Sequence, residues 1–217
     1  MDTGKKLYIM ISKTDTGIGM IIRKLSHYPY NHVALTLNDD LRNWVSFGRY
    51  AHDAPLYAGF IPESVERYLA KGYDVPVRIF EIPISNEKHR TLQELFSVAG
   101  NRQCGLIYNS FDAFAAVFRR KVKIPGAYTC LSFACAVLQK RYITIEALDE
   151  DLAPFLVYDG PLSDLIPDSG SRTDRYFGNL GLVGGTWSSA KQFAALSYRS
   201  LRHKGPDIVA QQMHWQY

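Results

Sequence analysis

Short runs of apolar and β-forming residues, each closed by turn residues, constrain this chain more than any other feature. Residues 7–12 read as a buried strand. Residues 32–37 read as a second strand, and the turn signal Asn38-Asp39-Asp40 sends the chain back along 43–47, so the two form an antiparallel hairpin. A further strand is expected over 75–84, interrupted by Pro76 and closed by Pro83. No run approaches the roughly 20 apolar residues that a membrane-spanning helix needs, and the apolar run behind the N-terminal lysines is too short for a signal peptide.

Helical periodicity fills the spaces between these strands. Thr14, Asp15 and Thr16 offer caps to a helix over about 18–26, and residues 62–67 read as the opening of a short helix with proline near its first turn. Leu92, Leu95, Phe96 and Ala99 set one face of a helix over 87–99. Ile107, Phe111, Phe114 and Phe118 set one face of another over 107–118. After the break at Pro125-Gly126, a helix is expected over 130–140. The order predicts an α+β domain with a small antiparallel sheet packed against helices, covering residues 1–160. Residues 161–217 read as a C-terminal extension packed on the core, with loop over 178–185 and one helix over 188–201. Its Phe193, Leu196 and Leu201 would pack on the core, cover a cleft or meet a partner.

Composition narrows the function classes. Aromatic residues make up 13% of the chain, which points to a filled core or an aromatic-lined cleft. A net charge of +4 is too small to imply a nucleic-acid partner. The run Arg119-Arg120-Lys121-Val122-Lys123 reads either as a site for an anionic partner, such as membrane lipid or cell-wall polymer, or as the solvated end of a helix. Three cysteines, Cys104, Cys130 and Cys135, without framework spacing fit a reducing, cytoplasmic setting.

Chemistry concentrates at two of these positions. Cys130 falls in the first turn of an apolar helix behind the candidate cap Thr129, where unsatisfied amides and the helix dipole favour a thiolate. Cys135 points to another side of that helix and reads as core. Two cysteines so placed do not converge with His32 on one ion, so no metal and no cofactor is expected. His32 opens its strand with Ala34 and Thr36 on its own face, which leaves room for a partner to approach. If the hairpin turn centres on Asp39 and Asp40, Ser46 lies opposite His32 and can hold one imidazole nitrogen, with Asn31, Asn38 and Asp39 as lesser candidates. Tyr128 and Asn31 are candidate substrate contacts, Tyr128 having a second reading as a packing aromatic.

The segments Asn31-His32-Val33-Ala34-Leu35 and Tyr128-Thr129-Cys130-Leu131-Ser132-Phe133 together resemble the permuted branch of the NlpC-type papain-like hydrolases, which includes YiiX-like proteins and relatives of lecithin:retinol acyltransferase. In that branch a strand histidine precedes the helix-opening cysteine by about a hundred residues, reversing the usual papain order. The stretch from Trp44 to Arg49 also resembles the strand that follows the histidine in cytoplasmic bacterial members. The resemblance covers roughly residues 7–142. It implies a circularly permuted papain-like fold, a Cys130 nucleophile, a His32 base, and hydrolysis or acyl transfer at an amide, thioester or ester. The third polar position of the family carries histidine, asparagine, glutamine or an acid, and the aligned strand here offers Ser46. That departure leaves a second reading, a papain-like scaffold that binds a peptide or acyl group without turnover.

Overall fold

A computed structural model describes residues 4–14, 23–24, 27–54, 56–69, 74–100, 105–116, 118–166, 175–178, 180–202, 205 and 207–214. Most of the helix expected over 18–26, and Cys104, lie outside these residues.

Six strands form one antiparallel sheet. They are β1 (Lys5–Ser12), β2 (His32–Thr36), β3 (Asn43–Arg49), β4 (Ala58–Ser64), β5 (Pro76–Ile84) and β8 (Leu156–Pro161), arranged β4-β3-β2-β1-β5-β8. A two-stranded parallel pair, β6 (Ile107–Tyr108) and β7 (Ala127–Tyr128), lies apart. The α-helices bounded among the described residues are α1 (Val65–Leu69), α2 (Asn86–Gly100), α3 (Ser110–Ala116), α4 (Cys130–Leu138), α5 (Ile145–Leu152), α6 (Leu162–Leu165), α7 (Gly181–Arg202) and α8 (Ile208–Gln212). The chain is thus an α+β protein, as its patterning predicts. Among the described residues no helix is long and apolar enough to cross a membrane.

β1 lies between β2 and β5, and it is apolar on both faces because both are covered. Leu7, Ile9 and Ile11 join Val33, Leu35 and the apolar residues of α2 and α4 in the main core. Tyr8 and Met10 join Ala34, Trp44, Val65 and Leu162 in a second cluster on the opposite face. α4 is buried almost all round, which its sequence CLSFACAVL requires.

Three local expectations are corrected. Residues 62–64 end a strand instead of starting a helix, and α1 begins only at Val65. Proline is tolerated at position 62 because β4 is an edge strand. Ile107 belongs to a strand and α3 stops at Ala116, so Phe114 and Phe118 are exposed instead of forming a core face. α7 already begins at Gly181, inside the stretch that reads as loop, and of its expected apolar row only Leu196 is buried.

The C-terminal segment returns to the main core. Val209 and Met213 pack in it, and Gln139 Nε2 donates to the Met213 carbonyl at 2.7 Å. Asp207 caps α8 by accepting from the Ala210 amide at 3.0 Å, while its other oxygen accepts from the Gly126 amide at 2.9 Å.

Candidate active site

The residues around Cys130 place its sulfur at the positive end of a helix. Thr129 is the N-cap of α4, and its hydroxyl accepts from the Ser132 amide at 3.1 Å. In return Ser132 Oγ accepts from the Thr129 amide at 2.7 Å, which closes a capping box with serine in the place usual for glutamate. The Phe133 amide goes to the Thr129 carbonyl at 3.0 Å. Cys130, one residue past the cap, takes hydrogen bonds at its sulfur from the His32 ring and from the backbone of Val33 and Leu131. Burial pushes this thiol up, but the His32 hydrogen bond and charge and the two amides outweigh it and hold the group below the ordinary thiol value.

His32 is the first residue of β2. Its Nε2–H donates to Glu63 Oε2 at 2.9 Å, which leaves Nδ1 for the sulfur. Burial lowers the affinity of the ring for a proton. The Glu63 charge and the hydrogen bonds to Cys130 and Glu63 raise it more, to a pKa of about 10. Glu63 itself is buried on β4, where Tyr68 donates its hydroxyl to Oε2 and the Arg67 guanidinium stands 3.5 Å from Oε1. Burial would raise this carboxyl, yet the charges of His32 and Arg67 and the hydrogen bonds from His32 and Tyr68 bring it down to about 2. At neutral pH the row therefore reads carboxylate and imidazolium, beside a thiol whose pKa they hold down.

A glycine makes the reach from β4 to β2 possible. Extending the Leu35–Val45 pairing brings His32 level with Gly48 on the intervening strand. A β-carbon at Gly48 would stand 2.8 Å from Ile61 Cδ1 and 3.4 Å from Glu63 Oε1. The bare backbone there keeps open the space through which Glu63 approaches the imidazole.

The structure brings Cys130 and His32 together and sets the other expected site residues apart. Ser46 does not orient the imidazole. The hairpin register puts it level with Ala34, and its buried hydroxyl has no hydrogen-bond partner. Asn31 turns away from the sulfur to Thr14, accepting from the Thr14 amide at 2.8 Å and donating to its hydroxyl at 2.9 Å. Tyr128 lines no cleft: it is fully buried against Phe47 and Phe133, with its hydroxyl donated to Asp207 at 2.7 Å. Asp39 accepts from Tyr8 at 3.1 Å at the turn end of the hairpin. Cys135 is core, its sulfur accepting from the Tyr142 amide at 3.4 Å, and burial pushes its pKa up.

No family model, curated protein or solved structure matches this chain.

Sequence reasoning misses Glu63 and Tyr68, which complete the hydrogen-bonded row, and Arg67, which is ion-paired with Glu63. The available signal was Glu63 followed by Arg67 four residues on, a spacing that joins a strand end to the first turn of a helix. The C-terminal extension also reaches this end of the sheet. The Tyr176 ring lies 4.1 Å from the Arg67 guanidinium and 5.4 Å from that of Arg49, and its carbonyl accepts from the His52 amide at 3.0 Å.

Proposed function

We propose that the chain is a cysteine-dependent hydrolase or acyltransferase on a permuted papain-like fold, acting on an amide, thioester or ester carbonyl. One observation carries this reading: Cys130, His32 and Glu63 form a continuous hydrogen-bonded row at the N-terminus of a buried helix. The chain order supports the permuted arrangement, since the histidine strand precedes the cysteine helix and both belong to one antiparallel sheet and its covering layer. Glu63 on β4 supplies the imidazole with the polar partner that Ser46, at the aligned position on β3, does not.

In this mechanism the Cys130 thiolate attacks the carbonyl carbon to form a tetrahedral adduct. The Cys130 amide, which the cap does not use, faces the developing oxyanion. The His32 imidazolium gives its proton to the leaving group, and the C–X bond breaks to leave a thioester on Cys130. Neutral His32 then takes a proton from water or another acceptor, which attacks the thioester and releases the acyl group. Glu63 touches no reacting atom. It positions His32 and holds its charge, as the acid of a triad does. Free Cys130 and Cys135 suit a reducing compartment, and a cytoplasmic location belongs to the proposal.

Cys130 is only 8% exposed, and this favours the second reading, a scaffold that binds an acyl or peptide group without turnover. A burst experiment with p-nitrophenyl acetate separates the two. The enzyme reading predicts a rapid release of one equivalent of p-nitrophenol per chain, a mass gain of one acetyl group on Cys130, and loss of both in Cys130→Ala. No burst and no acetylation of Cys130 would leave the binding scaffold.

A further inference from the structure

α7 is amphipathic with its apolar face outward. At about 100° per residue, Gly185, Ser189 and Leu196 share the buried side, while Val183, Trp187, Tyr198 and Leu201 lie on the opposite side. These four are 84%, 62%, 63% and 83% exposed, far beyond what a helix packed on a core normally shows to water. The patch adjoins α3 through the edge contact of Phe193 with Phe111, at 5.6 Å between ring centres. Beyond that contact Phe114 and Phe118 are exposed and pack against each other at 5.7 Å.

Among the described residues the exposed charges on α7 itself and those following Phe118 have one sign, while Asp53 stands at the N-terminal end of α7 and accepts from the Leu180 and Gly181 amides at 3.0 and 3.1 Å. α7 contains no acidic residue. Its exposed charges are Lys191, whose ammonium lies 4.9 Å from the Trp187 ring, and Arg202, whose guanidinium lies 5.9 Å from the Tyr198 ring. Arg119 and Arg120, both exposed, follow directly on Phe118. A second copy of the chain docking helix to helix would bring Lys191 and Arg202 against a face with no acid to meet them. An anionic lipid surface supplies both what the aromatics and what the cations lack: an apolar layer below the headgroups and negative charge at them.

We propose that α7 and the exposed end of α3 dock the protein on anionic membranes, with Trp187, Val183 and Leu201 entering the headgroup–acyl boundary and Lys191 and Arg202 meeting the phosphates. This does not depend on the catalytic reading. The test is flotation of the full chain with vesicles of phosphatidylcholine alone and of phosphatidylcholine mixed with phosphatidylglycerol, in low and high salt. The proposal predicts binding to the mixed vesicles at least about 10-fold tighter than to phosphatidylcholine, weakened by salt. Trp187→Ser with Leu201→Ser abolishes binding, and Lys191→Gln with Arg202→Gln reduces it several-fold, each with an unchanged circular dichroism spectrum. Binding to neither vesicle, or equal binding to both, overturns the proposal. So does a concentration-dependent dimer that Trp187→Ser dissociates in the absence of vesicle binding, which would assign the face to a second copy.

Discussion

Replacing Glu63 by glutamine is expected to slow acylation of Cys130 by about 10²- to 10³-fold while leaving the fold intact, because the amide keeps the shape and loses the charge. Without the carboxylate, His32 drops from about 10 toward its ordinary value, so at pH 7 the ring is largely neutral and the thiol keeps its proton. Stopped-flow release of p-nitrophenol checks the rate. The same variant changes acid stability in a direction fixed by the sign of the Glu63 shift. A carboxyl held near 2 when folded and near 4.5 when unfolded stabilises the fold above pH 4.5, and loses that contribution as pH falls from 4.5 toward 2. The difference corresponds to about 3 kcal/mol. Urea titrations between pH 5 and pH 2 should show a steep loss of stability in the wild type and a shallower one in Glu63→Gln. Equal slopes and equal acylation rates would remove Glu63 from the site.

Asp207→Ala is expected to destabilise the protein by about 3 kcal/mol. The carboxylate caps α8 at the Ala210 amide, accepts from the Gly126 amide at 2.9 Å, and accepts from the buried Tyr128 hydroxyl at 2.7 Å. Alanine removes all three acceptors at once. Because Tyr128 directly precedes Thr129, the cap beneath Cys130 should loosen as well, and alkylation of the thiol should slow together with the fall in the thermal midpoint. An unchanged midpoint would mean that the C-terminal segment does not brace this core.

Much of the framework was legible because it rests on periodicity. β1 is apolar on both faces, α2 shows Leu92, Leu95 and Ala99 at helical spacing, and α4 has a capping residue followed by an unbroken apolar run. Cys130 and His32 were legible for the same reason, each opening an element whose pattern is strong. Glu63 was hidden by local chemistry that points the other way. Pro62, Glu63 and Ser64 look like the start of a helix, and only the edge position of β4 admits proline into the sheet. Ser46 was misplaced by register. Pairing of Leu35 with Val45 moves His32 two residues along β3 from Ser46 to Gly48, and a slip of that size keeps the face and changes the neighbour. Phe114 and Phe118 have core spacing, but α3 ends at Ala116 and Arg119 takes a φ of 54°, so the row never completes a buried face.

The pH profile of Cys130 alkylation by iodoacetamide, followed by mass spectrometry of its peptide beside those of Cys104 and Cys135, tests the central claim most directly. In the wild type Cys130 should react with a midpoint below pH 9 and faster than Cys135 at pH 7. In His32→Ala the midpoint should climb to 9 or above as the burial cost on the thiolate goes uncompensated. A midpoint at the ordinary thiol value that is the same in both proteins would contradict the thiolate–imidazolium pair, and with it the enzyme.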